Sequence, residues 1–254
     1  RQTDSFHVWT VDDRGSTRQI TQGLKERFPV WSPDGQWIVH WFLGSTSSEL
    51  DRTRDDGSGG EQVLFTAKGA LGPLDIAKDG RFLIYQARPE TDARGGRADD
   101  LYALPLDGGS PVRLTNTPSI VETRARLSAD GQWLAYVSDE TGPGRRDVWV
   151  MAFPSGADKR LVSTGGGVDP SWRSDGKELF YVAPDGSLMS LAIAASGAGL
   201  TFGTPQPLFK FDPGSYGLFP PIRLYPASPG GQRFLAWERA STSSEKTSPS
   251  STSG

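Results

Sequence analysis

Apolar and polar residues alternate along much of this chain in short segments bounded by Gly, Pro and Asp. The clearest are Asp100-Leu-Tyr-Ala-Leu-Pro-Leu106 with Val112-Arg-Leu-Thr115, and Asp147-Val-Trp-Val-Met-Ala-Phe153 with Lys159-Arg-Leu-Val162. A period of two belongs to β-strands, whose successive side chains point to opposite faces. The segments come in a repeated frame. An Asp-Gly pair recurs at Asp34-Gly35, Asp79-Gly80, Asp130-Gly131 and Asp175-Gly176, with Gly230-Gly231 as a degenerate fifth copy, at intervals of 45, 51, 45 and 55 residues. Three residues after each Gly stand Ile38, Leu83, Leu134, Leu179 and Phe234, and two further on His40, Tyr85, Tyr136, Tyr181 and Ala236. Four residues before it stand Trp31, Ile76, Leu127, Trp172 and Ala227.

Each copy reads as a hairpin, because Ser32-Pro33-Asp34-Gly35 supplies a proline with φ preset for a turn and a Gly able to take positive φ. Two further strands follow each hairpin. Four strands per roughly 45 residues is the unit of a β-propeller blade, which buries its two apolar faces by stacking on neighbours. The fold class is therefore all-β, a propeller of four-stranded antiparallel blades with five repeats visible. The chain opens with strands around His7 to Val11 and Arg18 to Thr21 and closes with a hairpin around Arg223 to Leu235. If these join, the ring closes on five blades; otherwise the chain is an arc of a six- to eight-bladed ring. Residues 1–240 form the expected propeller, and 241–254 a disordered Ser/Thr-rich linker or tail.

The repeat resembles that of TolB-type propellers, whose WD-like signature is a Ser-Pro-Asp-Gly turn followed by an aromatic and apolar strand. Val30-Trp-Ser-Pro-Asp-Gly-Gln-Trp-Ile-Val39 and Leu127-Ser-Ala-Asp-Gly-Gln-Trp-Leu-Ala-Tyr136 match it best, and the likeness covers about residues 6 to 238. The resemblance implies a fold shared by several kinds of protein: C-terminal sensor regions of bacterial receptor-like serine/threonine kinases, free-standing periplasmic proteins, and the gating propellers of prolyl-oligopeptidase-like hydrolases. It also implies a bacterial cell-envelope location. Three segments depart from the pattern. The third strand of the first unit, Leu50-Asp-Arg-Thr-Arg-Asp-Asp-Gly57, is almost wholly polar and is expected to be short, shifted or at a wet edge. Residues 86–99 form a long charged connection, and 194–203 and 212–222 are Gly/Pro-rich insertions.

Composition narrows the function. The chain has 254 residues, and its 27 Lys+Arg against 30 Asp+Glu leave a net charge of −3, mixed in sign along the sequence, which argues against nucleic acid as a partner. No run approaches 18 consecutive apolar residues, so no membrane-spanning helix and no direct membrane contact is expected. Cysteine is absent, removing disulfides, thiol nucleophiles and Cys-bound metals. The chain starts at Arg1 with no basic and apolar leader and reads as a fragment. Gly (31) and Pro (19) make up about a fifth of it, which fits short strands and many turns.

Catalytic patterns are not found. His7 and His40 occupy strand positions with no converging partners, Gly214-Ser-Tyr-Gly217 is one residue short of a nucleophile elbow, and Gly142-Pro-Gly144 and Gly57-Ser-Gly-Gly60 lack the rest of a phosphate loop. The acidic pairs Asp12-Asp13, Asp55-Asp56 and Asp99-Asp100 lack calcium-loop spacing and read as solvated turns. No cofactor or metal is expected. The repeated tryptophans read as filling between blades.

Geometry then singles out one face. All Asp-Gly hairpins lie on one side of the disc, and the opposite side carries the connections between blades. The candidate ligand site is the channel mouth on that second side, formed by Arg27, Arg124, Arg126, Asp169 and Arg223, with Glu26, Glu122 and Val168 beside them. Arg27, Arg124 and Arg223 are expected at comparable positions, able to take an anionic group bidentately. The expected function is non-catalytic binding of a protein, a peptide or a small anionic ligand. The alternatives are a metal-dependent propeller enzyme of the lactonase or lyase kind and the gate of a peptidase.

Overall fold

The computed structural model describes residues 6–23, 25–44, 47–88, 98–117, 120–142, 144–196, 199–210, 231 and 234. These residues form nineteen strands and no helix. A two-stranded sheet comes first, β1 (Trp9–Val11) with β2 (Thr17–Gln19). The first full blade is β3 (Glu26–Trp31), β4 (Trp37–Leu43), β5 (Ser48–Arg54) and β6 (Gln62–Ala67), and the second is β7 (Ala70–Ile76), β8 (Phe82–Arg88), β9 (Asp100–Pro105) and β10 (Val112–Arg113). The third is β11 (Glu122–Leu127), β12 (Trp133–Ser138), β13 (Asp147–Ala152) and β14 (Arg160–Leu161). In the fourth, β15 (Val168–Trp172) and β16 (Glu178–Val182) lead to β17 (Ser187–Ser196), whose first part, Ser187 to Ser190, pairs with β19 (Gln206–Lys210) and whose last part, Ile193 to Ser196, pairs with β18 (Gly199–Phe202). All pairings between these strands are antiparallel, each blade is a meander apart from the return of β19 to β17, and the first strands β3, β7, β11 and β15 contact one another in succession, which makes them the inner strands.

The hairpin chemistry is as the repeat predicts. Gly35, Gly80, Gly131 and Gly176 all take φ near 70°, each donating its N–H to the carbonyl three residues back. Space is free around Gly131, so Gly131→Ala is opposed only by the left-handed backbone; the variant is expected to lose about 1 kcal/mol in urea unfolding. Between blades the strands bury continuous apolar faces. One cluster joins Val39, Trp41 and Leu50 to Leu83 and Tyr85; another joins Ile84 and Ala103 to Leu134 and Tyr136; a third joins Val137 and Val148 to Leu179 and Tyr181.

The hydrogen bonds of β1 and β2 identify them as the outer half of a blade. Ile20 donates its N–H to the Val8 carbonyl (2.8 Å) and Val8 donates to Thr21 Oγ1 (3.0 Å). Leu114, Leu101 and Thr115 repeat this at 2.8 and 2.9 Å, and Val162, Val148 and Ser163 at 2.9 and 3.0 Å, each time on third and fourth strands. The inner half expected around Arg223 to Leu235 lies outside the described residues except Gly231 and Phe234. Phe234 packs edge-on against Phe180 on the free face of the fourth blade, at 5.1 Å between centroids. Five blades fit this arrangement. The proposed linker, residues 241–254, also lies outside the described residues.

Two expectations are corrected. The polar third strand of the first unit is neither short nor wet: β5 runs seven residues, pairs along all of β4, and buries Leu50, Asp51 and Thr53. Thr53 meets a polar partner there, His40 Nε2 at 3.0 Å, whereas the pKa of the Asp51 carboxyl is raised by burial and by Glu49, Glu61 and Glu26, and the group is accommodated by holding a proton. Burial lowers the His40 pKa to about 4, so the ring is neutral at pH 7. Residues 194–203 are no loose insertion either, since β17 and β18 form a hairpin there whose Leu200 carbonyl accepts from Arg160 Nη1 of the third blade (3.0 Å).

Candidate functional site

The inner strand of every full blade is broken by a bulge at the same place. Pairing shifts between Arg27 and Val30, Pro73 and Asp75, Thr123 and Arg126, and Val168 and Ser171. Seven residues before the hairpin Gly stand Phe28, Pro73, Arg124 and Asp169. Phe28, Arg124 and Asp169 take φ of 56°, 54° and 54°, which costs a non-glycine residue about 1–2 kcal/mol. Phe28 stacks on Trp41 at 5.6 Å. Arg124 and Asp169 meet across the third and fourth blades, Nη1 to Oδ1 at 3.5 Å, and both are almost fully buried.

Around this pair the inter-blade end gathers buried polar groups. The Thr123 hydroxyl donates to Gln86 Oε1 between the second and third blades. Arg88 grips Asp99 through two bonds of 2.6 Å, and Arg145 donates to Asp147 at 2.9 Å. The Glu122 side chain has no exposure; burial raises its carboxyl pKa to about 7 against the pull of the Thr115 and Thr117 hydroxyls, and Asp100 adds to the rise. Arg146 is shifted down by burial and by the nearby charge of Arg124. Among the described residues no three His, Asp or Glu side chains are grouped so as to hold a metal ion.

Of the five residues singled out in the sequence, the four described ones separate along the axis. Arg124 and Asp169 come together as an ion pair. Arg126, two residues further toward the Asp-Gly face, is buried, and its Nη1 donates to the Leu74 and Ala125 carbonyls at 2.7 and 2.8 Å, tying the third blade to the second. It also lines a cavity of about 210 Å³ with Asp75, Lys78, Ser128 and Trp172. Arg27 lies one residue out of register with Arg124, since Phe28 holds the matching position; its guanidinium sits 3.9 Å over the Phe6 ring. Arg223 lies outside the described residues.

Sequence reasoning misjudged the acids that open the third strands: the Asp99-Asp100 pair, expected as a solvated turn, is buried, and Asp147 carried no expectation. Asp100 pairs with Arg113, and Asp147 accepts from Ser163 Oγ (2.9 Å) and Arg145, both carboxylates being buried. Their signal was present: an Asp directly before an alternating strand in two successive units, each followed 15 or 16 residues later by Thr115 or Ser163. The buried state of Glu122 had no such signal, because an acid between Val121 and Thr123 reads as an exposed loop residue.

No family model matches the chain. A curated relative, the protein TolB homolog of Chlorobium luteolum, is 34% identical over 116 residues, covering 40% of this chain and 25% of the relative. The solved structure of TolB from Acinetobacter baumannii superposes with a TM-score of 0.64 at 17% identity, over 94% of this chain and 56% of that one. An oligogalacturonate lyase from Vibrio parahaemolyticus superposes with 0.63 at 16%, over 92% and 69%. The chain thus spans a quarter of the curated relative's length. Likeness at 16–17% identity speaks for the fold and not for the activity. In its fold the chain is a β-propeller similar to that of TolB.

Proposed function

We propose that this propeller is a non-catalytic recognition module that binds a protein or peptide partner at the end of its axis away from the Asp-Gly hairpins. The observation that carries the reading is the strained pair Arg124 and Asp169: two left-handed, oppositely charged, buried residues at matching positions of adjacent inner strands. Strain of this kind concentrates at binding sites, where the surroundings hold side chains in place for a partner. Arg27 and Arg146 are half-buried and Arg145 is more open, so this rim offers cations to a partner's carboxylates. Arg223 belongs to the same proposed rim. The resemblance to TolB supports a place in the bacterial cell envelope, with the chain as the sensor or scaffold part of a larger protein.

Site-specific photocrosslinking tests this in the host bacterium with the full parent protein. A photoreactive residue at Arg27 or Arg145 is expected to give discrete protein adducts, and one at Gln36 or Gln132, beside the hairpins, none. Adducts confined to Gln36 and Gln132 overturn the reading.

A further inference from the structure

Three gaps between blades open on the Asp-Gly face, and they are built from matching positions. The second residue after the hairpin Gly of one blade faces, in the next, the residue just past the last one paired between second and third strands. Between the second and third blades these are Phe82 and Phe153, whose rings pack edge to face at 5.4 Å. Between the third and fourth they are Trp133 and Ile193, with Leu200 and Phe202 of the β17–β18 hairpin closing over them. Between the first and second they are Trp37 and Leu106. Here, among the described residues, no second ring and no hairpin fills the space, and a cavity of about 380 Å³ remains, within the usual range, about 300–1,000 Å³, of small-molecule sites.

The lining explains what such a cavity would take. Its wall is apolar at Trp37, Val39, Leu64, Ile76 and Leu106. Across from Val39 stands Arg52, where the second and third blades have the fully buried Ala103 and Val150. The Arg52 guanidinium lies 4.4 Å from the Trp37 ring centre and donates to the neutral Gln62 Oε1, and among the described residues it forms no ion pair. Lys78, on the same wall and on that of the smaller cavity, likewise has no acid partner among the described residues. Of the three acids in the lining, Asp79 is held by a cation and Asp34 by neutral donors. Asp34 accepts from the Ser32 hydroxyl (2.5 Å) and the Gln36 N–H (3.0 Å), and Asp79 is paired with Arg81 at 2.6 Å. With Arg81 and Asp79 paired to each other, the cations Arg52 and Lys78 share this lining with the carboxylates of Asp34 and Asp107, and Arg52 is directed by Trp37 and Gln62 and not by an acid.

We propose that this gap is a binding site for a small carboxylic acid with an apolar, ring-sized body, the ring lying against Trp37 and Leu106 and the carboxylate taken by Arg52 and Lys78. The site stands on the hairpin face and is independent of the partner proposed for the opposite face.

3-Phenylpropionate, titrated into the full chain and followed by ¹⁵N–¹H chemical shifts, is the probe, with neutral 3-phenylpropan-1-ol as its control. Saturable binding that shifts the Trp37 indole signal is expected, with the alcohol at least about ten-fold weaker. Arg52→Val inserts the residue of the third blade and is expected to weaken the acid by about ten-fold while leaving the alcohol unchanged. Leu106→Phe rebuilds the filled gap of the next junction and is expected to abolish binding of both with no loss of thermal stability. The proposal is overturned if the acid does not saturate by about 10 mM, a weak limit for a ligand of this size, if acid and alcohol bind alike, or if Leu106→Phe binds as well as the parent chain.

Discussion

Replacing Arg124 by leucine is expected to destabilise the protein by about 3–5 kcal/mol, the usual cost of leaving one partner of a buried ion pair uncompensated. Asp169 keeps only 3% of its surface and would lose the guanidinium that faces it at 3.5 Å. The second substitution Asp169→Asn in the same chain is expected to recover most of the loss, since Asn is neutral and tolerates the left-handed backbone that Asp169 adopts at φ 54°. Urea unfolding monitored by tryptophan fluorescence measures both. A loss below about 1 kcal/mol for Arg124→Leu would match an exposed pair and contradict the buried one.

Glu122→Gln is expected to stabilise the protein by about 2 kcal/mol near pH 8 and to leave it unchanged below about pH 4. The sign follows from the folded-state pKa of about 7, raised by burial from 4.5. Below the unfolded pKa both states are protonated and the group favours neither. Between about 4.5 and 7 the folded state keeps a proton that the unfolded state has released, so native stability falls as pH rises and levels off above 7. The amide carries no charge to desolvate and escapes that fall. Asp51, raised to about 7 first by burial and then by Glu49, Glu61 and Glu26, pushes the same way. His40 opposes both, because its pKa of about 4 makes stability fall as pH drops from 6.5 through 4. The comparison of Glu122→Gln with the parent chain across pH cancels the Asp51 and His40 contributions. A variant no more stable than the parent at pH 8 contradicts the buried, uncompensated carboxylate.

The fold was legible because its signals are local and repeated. Asp-Gly pairs mark hairpins whatever surrounds them, and Tyr85, Tyr136 and Tyr181 repeat a fully buried position that no exposed strand would keep aromatic. What failed was the reading of single polar residues against that frame. Asp51 and Thr53 look like solvent-facing residues, yet they lie on the side of the sheet that carries His40 and packs toward the β1–β2 pair, and both are buried. The charged end of the axis was legible only as a neighbourhood. Arg124 and Asp169 were placed together by counting from the hairpins, whereas the one-residue offset of Arg27 depends on the bulge after it, which moves Phe28 into the matching position. The cavity at Trp37 had no sequence signal at all, because it arises from the size of Leu106 against that of Phe153 one repeat later.

Everything above rests on four blades set in sequence around an axis, with their hairpins on one face. The chain lacks cysteine, so pairs of spin labels can be attached at introduced cysteines in Gln36, Arg81 and Gln132, the exposed residues that follow three hairpin glycines. Electron–electron double resonance on the three pairs is the direct measurement. The Gln36–Arg81 and Arg81–Gln132 distances are predicted to be similar and single-peaked, with Gln36–Gln132 clearly longer. A Gln36–Gln132 distance equal to or shorter than the other two, as stacked layers would give, contradicts the radial arrangement.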